Sequence, residues 1–211
     1  MACICKEDIM RDDITLDIIR EVINIGVGDA ADSLSQLAQS RVWIKTPDVH
    51  ILDSKDAPAF IQNEIQSLGI YISQNFHGRI RGKTLLFYTK ESCNSLVKTI
   101  LDKDIVTSAL TDTAIATLQE IGNIIMVSCV STISNLIEDA ISFEILEVTI
   151  EITEGYFQNI VQDLGELEKI IIVRNQMIVK DKEIEGYIFL LLGFDDFLFV
   201  IREMKNKIKH T

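Results

Sequence analysis

Proline is nearly missing from this chain: two residues in 211, beside 10 glycines and 47% hydrophobic residues. That composition argues against a disordered protein. Histidine is also scarce. His50, His77 and His210 lie far apart and away from the four cysteines, so no zinc-ligand spacing appears. Basic residues number 20 against 32 acidic ones, giving a net charge of −12 and a pI near 4.7. A nucleic-acid binder or a reader of anionic membranes needs a basic face, and this balance argues against both. No uninterrupted apolar run is long enough to span a bilayer; Tyr187 to Phe194 is typical. The first ten residues carry Lys6, Glu7 and Asp8, unlike the basic-then-apolar layout of a secretory leader. The expectation is a cytoplasmic protein with four free thiols, Cys3 and Cys5 near the terminus and Cys93 and Cys129 buried in helices.

What the chain does contain is a copy of itself. Glu21-Val-Ile-Asn-Ile25 aligns with Glu120-Ile-Gly-Asn-Ile124, and at the same offset of 99 Ser35 meets Ser134 and Leu37 meets Leu136. Phe60 to Gly69 aligns with Tyr156 to Gly165, with half of the positions identical. Gly82 aligns with Gly186, ahead of an apolar strand and a closing helix in each copy. The offsets differ only between elements, where loops absorb length changes. One domain spanning 1–211 is expected, with repeat one at about 11–106 and repeat two at about 107–211.

Each repeat reads in the same order. A long helix comes first, Thr15 to Gln39 or Asp112 to Glu138. A strand follows, Arg41 to Leu52 or Ile141 to Ile152. A short helix then ends at Leu68-Gly69 or Leu164-Gly165, where glycine suits a left-handed cap. A hairpin comes next, Tyr71 to Ile80 with Lys83 to Thr89, or Lys169 to Lys180 with Glu185 to Leu192. Ser92 and Asp195 are candidate caps for the closing helices. The fold class is α+β: a pseudo-twofold duplication of a helix–strand–helix–hairpin–helix unit, sharing a mainly antiparallel sheet.

On the first helix the apolar stripe runs through Ile14, Ile18, Ile19, Val22, Ile23 and Ile25, then Ala30, Leu34 and Leu37. The opposite side carries Asp17, Glu21, Asn24 and Gly28 at spacings of four, three and four, a single row. Asn24 and Gly28 are poor choices for a helix interior; Gly28 alone costs about 1 kcal/mol relative to Ala. A glycine beside a polar row lets another molecule approach closely, which suggests a docking ridge. The second helix repeats the row as Ala116, Glu120, Asn123 and Val127. Glu-x-x-Asn alone is a weak pattern and also occurs at Glu91/Asn94 and Glu203/Asn206, read as solvated helix ends. Equivalent placement in the repeat is what singles out Glu21/Asn24 and Glu120/Asn123.

The pattern Asp17-x3-Glu21-x2-Asn24, followed after 22 residues by Pro47, resembles the signature of the CheC/CheX/FliY phosphatases. Leu118-Gln-Glu-Ile-Gly-Asn-Ile124 resembles the second signature helix of that family. Two signature helices in about 200 residues, with no added flagellar-switch module, resemble the CheC branch. The resemblance implies hydrolysis of the aspartyl phosphate of a CheY-type response regulator, with both signature helices on the surface. It implies no metal or cofactor of the protein's own, the Mg²⁺ staying with the substrate. Asn24 would hold a water in line with phosphorus, a task a carboxamide performs by donating one hydrogen bond and accepting another. Glu21 would dock a lysine of the regulator. A hundredfold acceleration requires about 2.7 kcal/mol of barrier lowering. Asp17, Gly28 and Pro47 would shape the site, Pro47 as a strand-edge or loop proline.

The second copy departs from the signature. Ala116 stands for the Asp, Leu146 for the proline and Val127 for the glycine, so Glu120/Asn123 is read as the weaker site. The alternative reading is a partner or inhibitor of the CheD receptor deamidase with little activity, and a structural part of the flagellar switch is a third. Tyr156, Phe157 and Val161 could offer a CheD surface, but packing on the sheet is the simpler role. The internal duplication is expected to make a monomer sufficient. No Gly-x-Ser-x-Gly and no phosphate-cradling Gly-x4-Gly-Lys occur, and Gly26-Val-Gly28 lies inside a helix rather than after a strand. Arg202, Lys205, Lys207 and Lys209 complement the last helix's dipole and are assigned no partner.

Overall fold

The computed structural model describes residues 13–64, 68–101, 111–152, 156 and 167–209. The first half contains α1 (Asp13–Leu37), β1 (Val42–Asp53), α2 (Ala57–Glu64), β2 (Leu68–Gly78), β3 (Gly82–Thr89) and α3 (Lys90–Leu101). The second contains α4 (Asp112–Ile137), β4 (Ile141–Phe143), β5 (Glu147–Ile152), β6 (Leu167–Val179), β7 (Lys182–Gly193) and a last helix, α5 (Phe194–Lys209). Cys3, Cys5, His210, Phe157, Val161 and the helix end expected at Leu164-Gly165 lie outside the described residues.

The strands form one antiparallel sheet in the order β1-β6-β7-β3-β2-β4, with β5 also paired to β2. This order makes the duplication physical. The first strand of each half pairs with the hairpin of the other half: β1 with β6, β4 and β5 with β2. The two hairpins meet at β3–β7, where Leu85 lies opposite Phe189. Gly82 pairs with Leu192, and Gly186 pairs with Tyr88, as a twofold relation requires.

Local devices recur too. Gln39 and Glu138, equivalent residues, take left-handed backbone (φ 47° and 55°) after the two long helices. Ser40 N–H donates to the Ser35 carbonyl, and Asp139 N–H to the Ser134 carbonyl, each at 3.2 Å. The Ser35 hydroxyl accepts from Val42 N–H at 2.9 Å, and the Ser134 hydroxyl donates to the Asp139 carbonyl. Ser35 ties its helix end to the start of β1, and Ser134 ties its helix end to the connection ahead of β4.

Strand alternation sorts side chains onto two faces. Ile70, Ile72, Phe76, Leu86, Tyr88, Ile188 and Leu190 join the core under α1, α3, α4 and α5. Tyr71, Leu85, Phe87, Ile170, Ile172, Phe189 and Leu191 form a smaller core on the other face with Ala57 and Ile61 of α2. Tyr156 belongs to that second core, with its ring 3.9 Å from Tyr71, so it packs on the sheet.

Several expectations need correction. The strand expected over Ile141–Ile152 is broken at Glu144–Leu146 into β4 and β5. Leu68-Gly69 does not end a helix: both residues lie in β2. No glycine among the described residues has positive φ; a Cβ on Gly69 would come within 1.7 Å of the Phe87 ring. Gly69 therefore makes room for a ring. Thr89, not Ser92, caps α3, its hydroxyl accepting from Ser92 N–H at 3.1 Å. Asp195 and Asp196 lie in the first turn of α5, and Asp196 accepts from Arg81 N–H at 3.0 Å. Lys207 pairs within the chain with Glu138 at 2.6 Å, which links α5 to the end of α4.

α4 is 26 residues long and apolar enough to cross a bilayer by composition alone. Ala114, Leu118, Ile121, Ile125, Met126 and Val130 are buried in the main core, which is the pattern of a core helix. Cys93 and Cys129 are buried free thiols, as expected, and burial pushes both up to about 12. Thiols so held supply no nucleophile near neutral pH.

Candidate functional site

The site grows from how α1 lies. Ile18, Ile19, Val22, Ile23, Val27, Ala30 and Leu34 are buried beneath it. At Gly26 the helix crosses α4 closely: a Cβ there would lie 2.8 Å from the Cys129 Cα. With that side held inward, Asp17, Glu21, Asn24 and Gly28 all face outward and are exposed. Ile14 and Ile25, assigned to the buried stripe from the sequence, are instead 60% and 47% exposed. The buried arc is narrower than the apolar pattern, so these two isoleucines border the polar row. The row is thus a polar strip with an apolar margin, a composition suited to a protein partner.

Each member has a different environment. Asp17 pairs loosely with Arg20 at 3.4 Å, an exposed contact of small energetic weight. Gly28 meets nothing: a Cβ built there would find no atom within 4 Å. Internal packing therefore does not explain the glycine. Gly28→Ala is expected to raise stability by about 1 kcal/mol, the helix-propensity difference, read as a higher urea midpoint. A lower midpoint would show that Gly28 has a structural duty.

Asn24 meets the neighbouring strand. The Thr46 hydroxyl of β1 donates to Asn24 Oδ1. That contact depends on a bulge. Between Lys45 (opposite Gln176) and Asp48 (opposite Arg174), β1 advances three residues while β6 advances two. The extra residue falls at Thr46-Pro47, on the edge strand of the sheet. Bulges re-aim side chains, and proline, lacking an N–H, is tolerated at them and on edges. Sequence reasoning passed over Thr46. Its signal was the position directly before Pro47, where backbone is restricted to extended conformations.

The second copy has the same irregularity. From Phe143 (opposite Phe76) to Glu147 (opposite Ser73), the chain advances four residues while β2 advances three. There Glu144 is tied to β2: its carbonyl accepts from Gln74 Nε2 and its carboxylate from Asn75 Nδ2, both at 2.9 Å. Glu120 and Asn123 are exposed on α4, in line with exposed Ala116 and half-buried Val127. The position equivalent to Thr46 is Ile145, which is 91% exposed and has no hydroxyl. Among the described residues no side chain hydrogen-bonds the Asn123 carboxamide. The two rows thus keep the Glu-x-x-Asn pair and differ in what surrounds it. Among the described residues, no three His, Cys, Asp or Glu side chains converge in a way that would hold a metal ion.

A family model described as the CheC-like family matches residues 14–51, the segment from the start of α1 through Thr46 and Pro47. The CheY-P phosphatase CheC of Bacillus subtilis (strain 168) is 22% identical over 194 residues, covering 88% of this chain and 92% of that protein. Thermotoga maritima FliY shares the fold with a TM-score of 0.73 at 18% identity, covering 92% of this chain and 98% of that one. The FliG–FliM complex from H. pylori contains a chain with a TM-score of 0.63 at 14% identity, covering 90% and 99%. The resemblance to the CheC family is borne out: the chain is CheC-like in sequence over residues 14–51 and shares its fold with Thermotoga maritima FliY over 92% of its length.

Proposed function

We propose that this protein is a cytoplasmic phosphatase that hydrolyses the aspartyl phosphate of a CheY-type response regulator. The fold alone does not decide activity, since one fold hosts several roles. The observation that carries the reading is the exposed Asn24 carboxamide, in line with Glu21 and bordered by Ile14 and Ile25. The name of the Bacillus subtilis relative supports the same chemistry.

In this mechanism Glu21 pairs with a basic side chain of the regulator and sets the register of docking. Asn24 enters the regulator's site, and its carboxamide holds a water in line with the phosphorus–oxygen bond to be broken. The water attacks phosphorus, the aspartyl carboxylate leaves, and inorganic phosphate is released. Mg²⁺ belongs to the substrate. Asn24 needs no shifted pKa, because it orients the water and takes no proton. Open space at Gly28 allows the regulator's backbone to come near, so a bulky residue there would weaken docking. Glu120 and Asn123 form a second, weaker site of the same kind. Nothing observed favours a CheD surface: Tyr156, the described member of that apolar trio, is turned into the sheet.

The test is the decay of a phosphorylated CheY-type regulator with and without the protein. Faster decay is expected; binding of the regulator with unchanged decay would point to an adaptor instead.

A further inference from the structure

We propose that Thr46 is a positioning residue for Asn24, placed by the Thr46-Pro47 bulge and missing from the second site. The inference rests on the phosphatase reading of Asn24 but uses a different observation, the contact between β1 and α1.

A lone exposed asparagine samples several rotamers, and its carboxamide can turn end for end. A hydroxyl donating to Oδ1 removes that freedom. With one lone pair of Oδ1 engaged, the second lone pair and both Nδ2 hydrogens remain for the water and the phosphoryl group. The oxygen end is thereby held toward β1 before substrate arrives. Preorganisation of this kind lowers the ordering cost in the transition state without adding affinity, so it should appear in kcat rather than KM.

The scaffold for Thr46 is explicit. β1 is the edge strand, and its one-residue bulge lies at Thr46-Pro47. Pro47 confines the backbone of Thr46 to extended conformations, which limits where the hydroxyl can point. The second copy retains the bulge but offers Ile145-Leu146, and Asn123 has no such partner among the described residues. One chain therefore carries a held carboxamide and a loose one, a difference in chemistry that the shared Glu-x-x-Asn pattern hides.

The experiment compares Thr46→Val and Thr46→Ser in an Asn123→Ala background, so that only the first site turns over. Val keeps the shape and removes the hydroxyl; Ser keeps the hydroxyl. The expected result is a loss of about three- to tenfold in kcat for Thr46→Val, the range of one net hydrogen bond, with KM for the phosphorylated regulator unchanged and Thr46→Ser close to the parent. In the free protein, the Asn24 side-chain ¹⁵N–¹H signals are expected to lie away from random-coil positions in the parent and Thr46→Ser, and to move toward random-coil positions in Thr46→Val. Unchanged kcat in Thr46→Val, equal loss in Thr46→Ser, or an unmoved Asn24 amide pair would each overturn the proposal. Should the parent not accelerate decay at all, the phosphatase reading fails, and the amide signals alone still decide whether Thr46 holds Asn24.

Discussion

Asn24→Ala, made in a chain whose second site is already removed by Asn123→Ala, is expected to slow regulator dephosphorylation about a hundredfold, equivalent to about 2.7 kcal/mol of barrier. The substitution removes the group that orients water and leaves the docking surface otherwise intact. Asn24 is exposed and its recorded side-chain partner is Thr46, so stability should change by no more than about 0.5 kcal/mol. Binding of the phosphorylated regulator should persist, because Glu21, Gly28 and the isoleucine margin remain. A hundredfold loss with retained binding and an unchanged urea midpoint identifies a role in the chemical step. Parallel loss of binding would assign Asn24 to docking.

Phe189→Ala is expected to have the largest effect on stability. The ring is fully buried in the core on the α2 side, opposite Leu85, where the two hairpins meet. Truncating such a residue costs about 3–5 kcal/mol, a large share of the roughly 5–15 kcal/mol that holds a domain folded. The first strand of each half sits in the other half's hairpin, so neither half keeps its sheet when the other unfolds. One cooperative urea transition should therefore move to lower denaturant with little change in slope. Two transitions, one of them unmoved, would show that the halves unfold separately.

Much of the fold is written in the repeat. An offset of 99 links the two signature helices, and it also links Ser35 to Ser134, whose hydroxyls bond the chain that follows each long helix, at Val42 of β1 and at Asp139 ahead of β4. Near-continuous apolar runs, Leu85 to Tyr88 in β3, Ile170 to Val173 in β6 and Tyr187 to Leu192 in β7, announce strands buried on both faces. The failures come from tertiary contacts that the local pattern does not carry. Gly69 reads as a helix cap by composition, yet its place is set by the Phe87 ring across the β2–β3 pair. Ile14 and Ile25 fit the 3.6-residue period, but α1 buries a narrower arc than that period suggests. The strand break at Glu144–Leu146 depends on Gln74 and Asn75, some 70 residues away.

The candidate site divides in the same way. Asp17, Glu21, Asn24 and Gly28 share a face by helical geometry, which spacing reveals. Thr46 is invisible at that level, because its role depends on a bulge that turns one strand residue toward one helix residue. Pro47 was the trace of that bulge in the sequence. The difference between the sites was visible as Leu146 and Val127, but its chemical content, a missing hydroxyl at Ile145, needed the strand register.

The central claim is that exposed asparagines on α1 and α4 accelerate hydrolysis by holding water. It is tested most directly by the decay of a phosphorylated CheY-type regulator with the wild-type protein, Asn24→Ala, Asn123→Ala and the double variant. The expected result is acceleration by the wild type, most of it lost with Asn24→Ala, and decay at the spontaneous rate with a double variant that still binds the regulator. A double variant that accelerates decay as well as the wild type would contradict the claim and place the chemistry elsewhere on the protein.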